Sequence, residues 1–188
     1  LKITMDLNSY NLFVEINDLN YIFIVGKFDD NQNFNIFHKT IVSNNEIKEN
    51  ELINVEAAYL TVKKNIQEIE KKLDYIFKEA TIIIGNFNCN CLNISGFKKL
   101  NGSQIFKENI SYILNSLKLS VTENEKNKDI LHIFNSKSIL DGQYISNLPI
   151  GLNGNFYIHE LSFFLIEKND HKNIKYIFNK NNLVVKKI

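Results

Sequence analysis

The chain contains two cysteines, a residue type that can bind metals or undergo redox chemistry. Cys89 and Cys91 stand one residue apart in an apolar run typical of a strand, where alternate side chains share a face. Two thiols can hold a metal or cycle between redox states, but a metal site needs further ligands, and C-x-C is not the C-x-x-C of a zinc ribbon. We therefore interpret both as small strand residues of a reducing compartment.

The four histidines are scattered along the sequence and lack paired metal-ligand spacing. They are His38, His132, His159 and His171. His132 lies between two apolar residues and is interpreted as a structural strand residue. His159 and Glu160 are neighbours in another predicted strand, so their side chains face opposite sides of the sheet. The sequence therefore predicts no catalytic dyad.

One carboxylate follows an apolar run near the start of the chain, Asp6 in the segment M-D-L-N-S at 5–9. From the residues alone, the simplest interpretation is a turn aspartate that accepts hydrogen bonds from its own backbone.

Composition limits the possible partners. The chain has 44% hydrophobic and 23% charged residues, as soluble globular proteins do, and its formal net charge is +1. All its cationic side chains are lysines, so it lacks arginine, the preferred reader of phosphate and guanine. No nucleic-acid partner is expected. The sequence shows neither an 18-residue apolar run nor a signal peptide, so we expect a cytoplasmic protein.

The first half of the chain predicts a mixed sheet and one long helix. Apolar segments separated by Asn and Asp predict strands at 1–7, 12–16, 21–28 and 34–42, joined as antiparallel hairpins. Steps of three and four between apolar residues predict a helix over 51–77 that packs on this sheet. A β-branched run at 80–84 predicts a buried strand, which Gly85 and Asn86 end.

The second half has a different order of elements. Strands are predicted at 91–98, 130–140 and 156–166, and a helix at 103–117 with Ser103 in the capping position. A polar segment occupies 122–129, Asn169 and Asp170 cap a last helix, and 183–188 begins another strand. This order predicts a module at 89–182 with a three-stranded sheet and its helices on one face. The predicted domains are 1–88, 89–182 and a return strand at 183–188.

Four short motifs stand in sequence order along the chain. They are the turn at Asp6, N-I-S-G at 93–96, I-L-H-I at 130–133 with Asp141 closing its segment, and P-I-G-L-N-G at 149–154. They resemble the D-[IL]-G-T-[ST]-K, N-x-x-G, V-L-H-x and P-[VI]-G-[LM]-x-G motifs of the FtsA family, the actin-like proteins that organise bacterial cell division. The resemblance implies an α/β (α+β) fold, in which a partial actin-like (ribonuclease H-like) domain carries an inserted SHS2 module of strand-helix-strand-strand-helix order.

The resemblance also implies a degenerate nucleotide site at the first turn. In actin-like proteins a carboxylate at the position of Asp6 acts through Mg-bound water, while a glycine and a hydroxyl hold the phosphates. Here Asn8 replaces the glycine, Ser9 keeps the hydroxyl and Asn11 replaces a lysine. We expect these four residues to contact ATP with Mg weakly or not at all, because the other phosphate and adenine loops of the family lie beyond residue 188. No catalytic residue is predicted.

The partners implied by the resemblance are proteins. They are FtsZ, later division proteins and further copies of the chain, at the inner face of the membrane at the division site. Any membrane contact would come from a C-terminal segment outside this sequence. Two alternatives stay open: a type IV pilus assembly protein resembling PilM, and an actin-fold enzyme resembling a sugar kinase.

Overall fold

The computed structural model describes residues 9–85 and 87–188, and the predicted strand at 1–7 lies outside them. The chain forms two compact units. The first unit comprises Leu1–Asn88 and Asn169–Ile188, and the second unit comprises Cys89–Lys168.

The first unit begins with antiparallel strands. β1 (Asn11–Ile16) pairs with β2 (Asn20–Phe28), and β2 pairs with β3 (Phe34–Ser43), as the alternation of apolar and polar residues predicts. A small hairpin follows, formed by β4 (Ile47–Lys48) and β5 (Glu51–Leu52). Alternate side chains of β1 and β2 are buried on one face of the sheet: Leu12, Val14, Ile16, Tyr21, Phe23 and Val25.

Helix α1 (Val55–Leu73) follows this hairpin and is shorter than the predicted 51–77. It begins at Asn54, whose Oδ1 accepts a hydrogen bond from the Ala57 N–H at 3.0 Å. It ends at Asp74, which takes a left-handed conformation with φ of 48°. The predicted apolar stripe is confirmed as a buried face, and β6 (Glu79–Ile84) follows it and pairs in parallel with β1.

The second unit is a four-stranded antiparallel sheet with one helix on one face. Its elements are β7 (Cys89–Lys99), α2 (Lys107–Asn124), β8 (Lys128–Leu140), β9 (Gln143–Ile145) and β10 (Phe156–Glu167). The strand order is β7-β10-β8-β9. The prediction of three strands was wrong, because Asp141 and Gly142 adopt positive φ angles of 48° and 81° and turn β8 back into β9.

The predicted cap of α2 was also wrong. Ser103 lies before the helix and its Oγ donates a hydrogen bond to the Leu100 carbonyl at 2.5 Å. The helix starts one turn later, where the Asn109 Oδ1 accepts from the Phe106 N–H at 2.8 Å. It continues to Asn124, so the predicted polar segment at 122–129 is partly helical.

The P-I-G-L-N-G segment connects β9 to β10 and pairs with the loop before α2. The Ile105 N–H donates to the Leu152 carbonyl and the Gly151 N–H to the Ile105 carbonyl, each at 2.9 Å. The Asp141 carboxylate accepts from the Asn155 and Phe156 N–H groups at 2.8–3.1 Å. The P-I-G-L-N-G segment therefore fixes the chain before β10 to the loop before α2, and Asp141 holds the start of β10 beside the end of β8.

The chain then returns to the first unit through α3 (Lys168–Lys180) and β11 (Val184–Lys187). β10 ends directly before α3, so Asn169 and Asp170 lie in the helix and not before it. Three apolar side chains of α3 are buried: Ile174, Ile177 and Phe178. The predicted limit of the module at residue 182 was wrong, because α3 belongs to the first unit. β11 pairs with β6 and completes the sheet order β11-β6-β1-β2-β3.

A substitution at Gly96 in β7 tests how closely α2 packs on the second sheet. A Cβ at this position would lie 2.5 Å from the Ile113 Cγ2, so we expect Gly96→Ala to lower the free energy of unfolding by about 1–3 kcal/mol. The neighbouring Ser95 is exposed, and Ser95→Ala is expected to change it by no more than about 0.5 kcal/mol. Urea denaturation of both variants measures the difference, and equal stabilities would contradict this packing.

Candidate functional site

The turn between β1 and β2 occupies the position in the first sheet where ligands are expected. β1 and β6 are parallel, and the Gly85 N–H donates to the Ile16 carbonyl at 2.9 Å where the two strands end. In sheets with parallel strands, ligands bind outside the carboxyl ends of those strands. The residues beside this edge are Glu15, Asn17 and Asp18.

The backbone of this turn is closed on itself. The Asn17 side-chain oxygen accepts hydrogen bonds from the Leu19 N–H at 3.0 Å and from the Asn20 N–H at 2.8 Å. The Asn17 N–H donates to the Asn20 carbonyl at 3.0 Å. Three N–H groups that could otherwise point at an anion are therefore occupied within the turn.

Neighbouring side chains hold the same turn in place. The Asn17 Nδ2 donates to the Glu15 carboxylate at 2.8 Å. Asn44, which is buried, donates from its Nδ2 to the Asn17 carbonyl at 2.6 Å and from its backbone N–H to the Leu19 carbonyl at 2.8 Å. A phosphate here would meet a carboxylate and occupied donors, whereas phosphate-binding loops offer free N–H groups. The described residues of this turn do not fit a nucleotide phosphate.

Of the four predicted nucleotide residues, Ser9 and Asn11 are among the described residues. Asp6 and Asn8 lie outside the described residues. Ser9 and Asn11 lie at the start of β1, at the opposite end of the strand from the turn, and the Asn11 Nδ2 donates to the Ser9 carbonyl at 3.3 Å. Contact between these four residues and ATP with Mg therefore stays a prediction.

The cysteines and histidines do not form a cluster. Cys89 and Cys91 are exposed in β7. Within residues 9–85 and 87–188, no group of three His, Cys, Asp or Glu side chains is arranged to hold a metal ion. In the same residues, no helix is long and apolar enough to cross a membrane.

His159 is buried in β10 and faces α2. Its Nε2 lies 3.1 Å from the Asn135 Oδ1, so the neutral ring donates from Nε2. Its Nδ1 has no hydrogen-bond partner among the described residues. Burial lowers the pKa of His159. This environment fits a structural histidine that folds in its neutral form.

The second sheet has one face that α2 does not cover, which we call the open face. Cross-strand register places a set of large side chains on it, from β7, β8, β9 and β10. They are Phe97, His132, Phe134, Ile139, Tyr144, Phe156, Ile158 and Phe164. Phe97 is 66% and Phe134 is 55% exposed to solvent. Clusters of exposed apolar side chains are typical of protein interaction sites.

Sequence reasoning missed the self-closed turn and the identity of the residues on the open face. The turn has a usable signal, since asparagine after a strand often bonds the backbone two residues on. The signal for the open face is in β10, where the segment F-Y-I-H-E-L-S-F-F carries aromatic residues on both alternating sets. A strand that is apolar on both faces is typical of a sheet that is covered on both sides.

No protein-family model matches the chain, and no curated protein matches it. Among solved structures, a chain described as the PilM–PilN type IV pilus biogenesis complex matches with a TM-score of 0.60 and 7% identity, over 94% of this chain and 46% of that chain. A Bacteroides thetaiotaomicron protein, described as having an actin-like ATPase fold and unknown function, matches with a TM-score of 0.28 and 13% identity, over 97% of this chain and 55% of its own. The chain thus spans about half the length of these structures.

The likeness to the PilM–PilN chain shows the fold and nothing finer. Over its described residues the protein has a mixed α/β fold, shared with the matched part of that structure. The predicted fold class is confirmed.

The buried His159 makes stability depend on pH. Its pKa in the folded chain lies below the unfolded value of about 6.5, so the unfolded chain binds the proton first. We expect the free energy of unfolding to fall as pH drops below about 6.5 and to be insensitive to this group at higher pH. His159→Gln removes the group and should flatten this slope, measured by urea denaturation at pH 5, 6, 7 and 8.

A second histidine, His38, also contributes to the pH dependence of the wild-type chain. Burial and, secondarily, the charge of Lys72 lower its pKa, so it acts in the same pH range but in the first unit. The comparison is therefore between the wild-type and His159→Gln profiles. Identical slopes in the two proteins would show that His159 does not carry the effect.

Proposed function

We propose that the chain is part of an actin-like adaptor that assembles with other proteins in bacterial cell division. The observation that carries this proposal is the open face of the second unit, where exposed aromatic side chains lie together without a catalytic group or metal cluster among the described residues. Such a surface binds protein, because covering it removes apolar area from water.

The finer role in division rests on the FtsA-like motifs. N-I-S-G lies in β7, I-L-H-I in β8, and P-I-G-L-N-G connects β9 to β10, so three of the four motifs fall in the second unit. The proposed partners are FtsZ and later division proteins, at the inner face of the membrane at the division site. Contacts with FtsZ and with the membrane would come from parts of the full-length protein outside this chain.

A second candidate function is a pilus assembly platform of the PilM kind. The solved structure with a TM-score of 0.60 belongs to the PilM–PilN complex, and this likeness supports the alternative as well as it supports the division role. The order of the motifs favours division.

Nucleotide binding by this chain alone is not part of the proposal. The turn after β1 has its donors occupied, and a carboxylate lies beside it. We expect titration calorimetry of the 188-residue chain with Mg-ATP to give no binding heat at millimolar nucleotide. A Kd in the micromolar range would contradict this expectation.

The proposed function is tested in the source bacterium by removing the second unit. We expect an in-frame deletion of residues 89–168 from the full-length protein to block recruitment of later division proteins and to give filamentous cells with normal pili. Fluorescence microscopy of a late division protein is the measurement. Loss of pili with normal septation would favour the platform role, and normal division and normal pili would contradict both.

A point variant keeps this test valid if the deletion fails to fold. Phe134→Ser changes an exposed side chain and is expected to preserve folding while weakening recruitment. Tyr112→Ser is the matched control, because Tyr112 is 61% exposed on α2, on the other side of the second sheet.

A further inference from the structure

The open face carries two aromatic clusters at its two ends. At one end the rings of Phe97 and Phe156 stack with centroids 5.3 Å apart. At the other end the Phe164 ring contacts the Phe134 ring at 5.6 Å edge to face, and the His132 ring lies 5.7 Å from Phe134. Both clusters combine rings from neighbouring strands, so each presents a continuous apolar surface.

A polar band separates the two clusters, and its groups bond one another. The Ser162 Oγ donates to the Asn93 Oδ1 at 2.6 Å, and the Ser136 Oγ donates to the Glu160 carboxylate at 2.9 Å. The Lys137 Nζ lies 3.8 Å from the same carboxylate. Because the two hydroxyl groups and the carboxylate already have partners, another surface can cover them at a smaller desolvation cost.

The charge of the band points to one kind of partner. It holds one carboxylate on β10 and one ammonium on β8, so its net charge is zero. A strongly acidic or basic partner would find no complementary charge here. Lys99 lies at the rim beside Phe156, and one lysine supplies too little positive charge to bind nucleic acid. A surface with the same pattern, apolar at both ends and neutral with paired charges in the middle, fits it best.

We infer that two copies of the chain pack open face against open face about a twofold axis through the polar band. In such an isologous contact each aromatic cluster meets an aromatic cluster, and Glu160 of one copy approaches Lys137 of the other. Face-to-face packing of two sheets is a standard way to bury side chains of this kind. The inference deepens the proposed function and rests on it, because it names the partner of the same surface.

The self-complementary charges give the dimer a specific signature. Lys137→Glu puts two carboxylates into each band, so four face one another in the dimer, and association is lost. Glu160→Lys puts two ammonium groups into each band, so four face one another and association is again lost. The double variant with both changes restores the pairing with its signs exchanged, and therefore restores the dimer. A contact with a different protein, or through another surface, has no reason to follow this pattern.

The experiment is analytical ultracentrifugation of the purified 188-residue chain at rising concentration. The wild type is expected to dimerise with a Kd on the order of micromolar, as small interfaces do. Phe134→Ser and Phe97→Ser should each weaken the dimer at least tenfold, while Tyr112→Ser leaves it unchanged. Circular dichroism confirms that the variants are folded.

Two outcomes overturn the inference. One is a wild-type chain that stays monomeric at hundreds of micromolar. The other is a dimer that survives both phenylalanine variants, which would place the contact elsewhere. The oligomeric state is measured on the purified chain and recruitment is measured in cells. A monomeric chain whose loss still blocks division therefore overturns the dimer alone, and a dimer without a division role overturns the proposed function alone.

Discussion

Parallel pairing of β6 with β1, and of β11 with β6, is the constraint on which the rest of the structure depends. Parallel neighbours need a crossover between them, so the chain must leave the sheet after β6 and come back to its edge through a helix. The second unit occupies this crossover, with α3 as its returning helix. It is therefore an insertion in the sequence between β6 and α3.

Local patterns predicted most elements but not where they pack. The stripe of α1 and the strands β1 and β10 follow from spacing alone, because each buries its side chains with a regular period. The assignment of α3 to the wrong unit has a physical reason: its buried face shows that it packs, and nothing in that pattern says against which sheet. The start of α2 was missed because Asn109 caps from inside the helix, whereas Ser103 bonds to Leu100 before it.

The candidate sites show the same division between local and nonlocal information. An asparagine at position 17 predicts a turn, but the side-chain hydrogen bond that holds the Asn17 carbonyl in place comes from Asn44, which is 27 residues away. The aromatic residues of β8 and β10 are visible in the sequence, but only the cross-strand register shows that Phe134 and Phe164 share the face opposite α2. Chemistry that requires groups from several strands could therefore not be assigned from spacing.

Burial of the open face between two copies is tested most directly by the reactivity of Cys91, an exposed thiol on that face in register with Phe164. In a Cys89→Ser background it is the only cysteine of the chain, and its reaction rate with a maleimide reports on its exposure. A contact between open faces predicts that this rate falls several-fold as protein concentration rises through the micromolar range, and that it stays constant when Phe134→Ser is added. A rate independent of concentration would contradict burial of the face.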